Sequence, residues 1–131
     1  MPHANGSFKV SGMKEDPYEE LPDGAKLTRA SGDQAYTGDI EGKGQVQWLM
    51  SYRGDKTAHF VGIWHVTGSL DGRRGAFVIE SIGEFDGKSS KGSWTVLDGL
   101  GSGDLAGMTG TGSFEAPGGA DATYDLDYEI T

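Results

Sequence analysis

Residues 57–85, TAHFVGIWHVTGSLDGRRGAFVIESIGEF, constrain the fold of this chain more than any other stretch. They read as two long strands joined at Asp71-Gly72, a dipeptide that supplies the positive φ angles a tight hairpin turn needs. Setting Leu70 opposite Arg73 pairs Val66 with Phe77, Trp64 with Ile79 and Phe60 with Gly83. One face then carries Ala58, Phe60, Trp64, Val66, Leu70, Phe77, Ile79 and Phe85, spaced by Gly62, Gly68, Gly75 and Gly83. Large rings beside bare glycines suit the concave wall of a small barrel, because glycine makes room for a ring and lets the sheet bend. The other face is mixed: His59, Val61, Ile63, His65 and Thr67 against Ala76, Val78, Glu80, Ile82 and Glu84.

The remaining segments repeat the pattern. Residues 6–13 alternate Phe8 and Val10 with polar neighbours, as a first strand does. Residues 14–25 break the alternation with two prolines and five carboxylates, which predicts a surface loop lying over a barrel mouth. Residues 26–40 are extended, 41–44 turn the chain, and 45–52 form a period-two strand with Val46, Trp48, Met50 and Tyr52 on one side. Arg53-Gly54-Asp55-Lys56 reads as a turn rather than an adhesion motif. Asp86-Gly87 gives another hairpin, with residues 92–97 as its return strand. Residues 98–108 are glycine-rich with one helical turn at 104–107. Strands follow at 110–116 and 122–130, joined by a turn at 117–119. Sustained helical periodicity is absent. The expected fold is therefore all-β, an eight-stranded antiparallel up-and-down β-barrel of the lipocalin-like kind, with residues 1–131 as a single domain.

Composition removes several classes of function. A chain of 131 residues has room for one core. Without cysteine there is neither a disulfide framework nor a thiolate metal site, and three scattered histidines do not suggest zinc, so no metal is expected. A net charge of −9 argues against nucleic acid as a partner. The first residues lack a basic region followed by an apolar run, and no apolar stretch reaches the ~20 residues of a membrane-spanning helix, so a cytoplasmic protein with no membrane partner is expected. The glycine runs at 99–103 and 110–112 lack the following helix that a dinucleotide fingerprint requires, and no cofactor is expected.

Chemistry is written faintly. Trp48, Trp64 and Trp94 fall on the inner face with Phe60, Phe77, Tyr52, Tyr124 and Tyr128. Either they fill a narrow barrel solidly, or they line a cavity for an apolar small molecule. The phenols favour a cavity, since each needs a partner that a solid core seldom offers. On the cavity reading the ligand-binding residues are Trp48, Met50, Phe60, Trp64, Phe77, Ile79, Ser81, Trp94, Tyr124 and Tyr128. Arg29 and Tyr52 are the catalytic candidates: a guanidinium turned into the lumen would receive a carboxylate or enolate oxygen, with Tyr52 answering it. His59 faces Glu84 and His65 lies diagonal to Glu80, on the face assigned outward, where such pairs serve mostly as cross-strand partners.

Blocks spread over nearly the whole chain carry a resemblance. LTRAS (27–31), TGDIEGKG (37–44), LMSYRGD (49–55), FVG (60–62), GSW (92–94), SGDLAGMTGTGSFEAPGG (102–119) and ATYDLDYEI (122–130) resemble the bacterial DUF3224 family of single-domain proteins of unknown function. The resemblance implies an allene oxide cyclase-like barrel with an apolar lumen and leaves activity open. Relatives often place a carboxylate and an imidazole where this chain has Trp64 and Ser81, which implies a more apolar ligand here. The expected function is a cofactor-independent cyclase or isomerase acting on an apolar, polyketide-like substrate of secondary metabolism. The alternatives are a non-catalytic binder of a hydrophobic small molecule and a solid interaction module. The exposed Val61, Ile63, Val78 and Ile82 point to a homo-oligomer.

Overall fold

The computed structural model describes residues 2–118 and 121–131. Among these described residues nine strands follow in chain order: β1 (His3–Glu20), β2 (Lys26–Gly38), β3 (Ile40–Tyr52), β4 (Ala58–Leu70), β5 (Arg73–Phe85), β6 (Ser90–Val96), β7 (Ser102–Gly103), β8 (Met108–Ala116) and β9 (Ala122–Ile130). Eight of them close a barrel in the order β1-β2-β3-β4-β5-β6-β8-β9 and back to β1, every pair antiparallel. The two-residue β7 adds to β5 through Gly75 and Ala76, beyond the end of β6. This is the expected eight-stranded up-and-down barrel with one small strand outside it.

The β4–β5 hairpin has the register its sequence dictates, with Leu70 opposite Arg73, Trp64 opposite Ile79 and Phe60 opposite Gly83. Asp71 and Gly72 supply its turn with φ of 50° and 85°. Its apolar face turns inward, where Trp64, Val66, Leu70 and Ile79 are at most 1% exposed.

Two segments differ from the sequence reading. Residues 41–44 are not a turn. The chain reverses at Asp39, and Gly42 and Gly44 lie inside β3 opposite Tyr36 and Gln34. A β-carbon on Gly44 would sit 2.4 Å from Gln34 Oε1, so this glycine marks a crowded interior rather than a bend. Residues 14–25 are not a loop either. β1 continues to Glu20, paired with β2 across irregularities at Ser11/Lys14 and Pro17/Glu19, and only a single 3-10 turn (Pro22–Gly24) reverses it. Among the described residues β1 pairs with β9 from His3 to Phe8, and from Lys9 onward its outer edge has no strand partner. Proline and a run of charges are tolerated on such an edge, and the charges guard it against pairing with another chain.

The barrel therefore has two unlike ends. At one, residues 97–107 fold across the base, and the turn Leu105 N–H to Ser102 O helps drive Leu105 into the interior, where it is 0% exposed beside the equally buried Met108. At the other, β1 parts from β9 and the barrel is splayed. The expected turn at 117–119 lies partly outside the described residues.

Candidate functional site

Between these ends the lumen is packed solid by rings. Phe8 sits among Tyr36, Trp64, Trp94 and Phe114 with centroids 5.1, 5.6, 6.3 and 6.0 Å away. Trp64 meets Trp94 edge-on at 5.5 Å, and Trp94 stacks on Tyr124 at 5.6 Å. Offset and edge-on contacts of this kind add to the area buried. Gly62 is what admits Trp48 and Trp64 side by side: a β-carbon there would lie 2.7 Å from Trp48 Cδ1 and 3.1 Å from Trp64 Nε1.

Above this layer, at the splayed end, the rings give way to a hollow of about 340 Å³. Phe8, Trp64 and Phe114 form its floor; Ala30, Trp48, Met50, Phe60, Phe85 and Ala116 form its walls. Val10, Met13, Glu15, Tyr52 and Ser90 make the rim, where Val10 and Met13 are 38% and 54% exposed. The parting of β1 from β9 thus places an apolar lip beside an apolar interior.

The rim holds the polar groups. Thr28, only 1% exposed, donates its hydroxyl to Glu15 Oε2 at 2.6 Å. Burial first, then the neighbouring Glu15 carboxylate, push the Tyr52 phenol up to about 12. It stays protonated and can only donate or accept hydrogen bonds at neutral pH. Lys26 Nζ lies 5.1 Å from the centre of the Tyr52 ring.

Of the residues expected to bind ligand, Trp48, Met50, Phe60 and Trp64 line the hollow, and so does Tyr52. Phe77, Ile79, Ser81, Trp94, Tyr124 and Tyr128 lie in the packed part, each at most 3% exposed, and do not line it. Their phenols are engaged by the fold itself. Tyr124 Oη accepts the Ile40 N–H at 2.9 Å and donates to Thr37 O at 3.2 Å. Tyr128 donates to Asp71 Oδ2, and Tyr36 donates to Gln34 Oε1 at 2.7 Å. The inference from phenols to a cavity is therefore corrected: hairpin turns and a buried amide supply the partners. Among the described residues Ser81 Oγ and the Trp64 and Trp94 indole nitrogens are buried without a hydrogen-bond partner. Ser81 stands between Gly62 and Trp94 in one cross-strand row, so all three belong to the same band of the interior.

Arg29 is corrected in position. It is exposed, alternating with the buried Thr28 and Ala30, and lies on the outer face in a shallow groove with Leu49, Val61, Ile63 and Glu80. Strand parity puts Thr28, not Arg29, in the lumen. His59 and Glu84 are on the outer face as expected, with Nδ1 and Oε2 at 2.5 Å and Arg53 Nη2 2.8 Å from Glu84 Oε1. The hydrogen bond from His59, followed by that from Arg53, holds the Glu84 carboxyl below its usual range.

The sequence reading missed Phe8, Phe114, Thr28, Glu15, Val10 and Met13. Phe8, Val10 and Phe114 carry the period-two signal of their strands and were findable; Met13 ends the first strand out of step with that period, and Glu15 sits in a segment whose composition reads as loop.

Comparison places the chain among similar proteins. A family model described as "Protein of unknown function (DUF3224)" matches residues 4–128. A crystal structure of a protein of unknown function from that family, from Shewanella oneidensis MR-1, superposes with a TM-score of 0.79 at 25% identity, covering 100% of this chain and 98% of the other. No curated protein matches.

Proposed function

Because the chain belongs to the DUF3224 family, whose description assigns no function, its activity has to be read from its own barrel, and we propose that it binds a small, flat, apolar molecule in the hollow at the splayed end. One observation carries this reading: part of the lumen is packed with rings, while its splayed end is walled by the same kinds of ring around about 340 Å³ of space. That volume is near the lower limit of small-molecule sites, and a mostly apolar wall with a few polar groups is their usual character. An unsaturated ligand gains most, since ring faces such as Trp48 reward stacking beyond simple burial.

The titration of a panel of planar aromatic compounds against tryptophan emission tests this. Trp48 is half-buried in the wall and meets Trp64 edge-on at 5.8 Å, so its removal costs less packing than removal of a floor ring. Trp48→Ala is expected to leave a folded barrel and weaken binding at least several-fold, by the loss of about 0.5–1.5 kcal/mol of stacking together with buried area. A panel in which nothing binds, or a Trp48→Ala variant that binds as the wild type does, overturns the reading.

A catalytic version, a cofactor-independent cyclase or isomerase, is favoured by the group formed by Glu15, Thr28 and Tyr52. With Arg29 outside, these are the groups left to polarise a carbonyl, and the cavity would contribute mainly by positioning. In this version Tyr52→Phe lowers conversion of a bound substrate more than it lowers affinity.

A further inference from the structure

Glu15 is the charged side chain among the residues lining the hollow, and among the described residues its carboxylate has no ion-pair partner; it holds the Thr28 hydroxyl and stands beside Tyr52. Arg29, the guanidinium that would have received an anionic group, is on the outside of the wall. The face of Tyr52 already draws a cation, since Lys26 Nζ lies 5.1 Å from its centre. Across the chain the net charge of −9 draws cations toward the surface and repels anions.

We propose that the ligand is an amine, with a flat unsaturated body seated among Trp48, Phe60 and Trp64 and a protonated nitrogen at the rim between the Glu15 carboxylate and the Tyr52 ring. This rests on the binding reading above and selects within it. The ammonium donates a charge-assisted hydrogen bond to the Glu15 carboxylate, packs against the side of Tyr52 that Lys26 leaves open, and keeps part of its hydration because the rim is open. A fatty acid or any other carboxylate entering the same way brings its charge toward Glu15, while Lys26 stands outside the lining, over the Tyr52 ring.

Three probes of one shape separate the possibilities: 2-naphthylmethylamine, 2-naphthalenemethanol and 2-naphthoate, titrated by calorimetry into the whole chain at neutral pH. The amine is expected to bind at least about tenfold more tightly than the naphthoate, with the alcohol between them. Glu15→Gln, a change at an exposed position whose folding is checked by circular dichroism, is expected to bring the amine down to the affinity of the alcohol. If all three bind alike, if the naphthoate binds best, or if the preference for the amine survives Glu15→Gln, the inference falls and the apolar binding site stands. If none of the three binds, the binding reading falls and takes the inference with it.

Discussion

Single residues in this barrel are placed by what they can donate. Tyr124 closes two backbone groups at the β2–β3 turn, one of them the N–H of Ile40, which is 0% exposed. An ordinary protein hydrogen bond nets about 1 kcal/mol, but an abandoned buried donor costs about 1–3 kcal/mol. Tyr124 is therefore worth more than Tyr128, whose partner Asp71 is exposed and can turn to water. At the surface, His3 Nδ1 lies 2.8 Å from Asp127 and Nε2 3.1 Å from Asp125, tying the start of β1 to β9. The hydrogen bond to Asp127, then that to Asp125, raise His3 above its ordinary 6.5. A raised folded value stabilises the fold below the unfolded value, and that contribution disappears as pH rises through the folded one. An NMR titration is expected to place the His3 pKa above 6.5, and Asp127→Asn to bring it down. Denaturation of wild type against His3→Gln should show an advantage for the wild type in mild acid that is lost in mild alkali. A His3 pKa at or below 6.5 contradicts the pairing.

At the scale of elements, the two ends of the barrel do different work and should fail separately. Leu105 is completely buried at the closed base, far along the strands from the hollow. Leu105→Ala is expected to cost about 2–5 kcal/mol of stability, measured by urea unfolding, because the cavity it leaves is only partly filled by relaxation. Its folded fraction should bind ligand as the wild type does; a loss of affinity equal to that of Trp48→Ala would show that the ends are coupled. Elements also show what could be read in advance. The β4–β5 hairpin was legible to the residue because its turn dipeptide fixes the register and its inward face is apolar but for Ser81. Thr28 and Arg29 were not, since a strand with Leu27, Thr28, Arg29 and Ala30 offers no clean alternation to set parity. The outer part of β1 was illegible for a different reason. A strand with one open edge and no buried face has no apolar period, so its proline and carboxylates look like those of a loop. Three of the five rim residues, Val10, Met13 and Glu15, belong to β1, which is why the wall of the site was visible in the sequence while of its mouth Tyr52 alone was singled out.

For the whole molecule, the outer face of β3, β4 and β5 exposes Leu49, Val61, Ile63 and Ile82 by 46, 37, 47 and 40%. We propose that a second copy covers this stripe, because it is contiguous and carries Arg29 on its β2 side and Glu80 on its β5 side. A two-fold axis along the strands sets each arginine toward the other copy's glutamate, as an isologous interface requires. Light scattering is expected to return twice the chain mass at micromolar concentration and the chain mass for Ile63→Glu; a monomeric wild type refutes the dimer. The join between β1 and β9 has a consequence in time rather than space. The barrel is sealed by pairing residues 3–8 with residues 122–127, the most distant partners in the chain. Loops that long are slow to close, so folding waits on its final strand while the hairpins before it pair locally. A growing chain on the ribosome consequently holds out Phe8, Trp64 and Trp94, uncovered, until residues 122–127 have been made. For that interval the aromatic interior that makes the finished barrel stable is a hazard, and like charge, a net −9 over the chain, opposes the association of such half-made barrels.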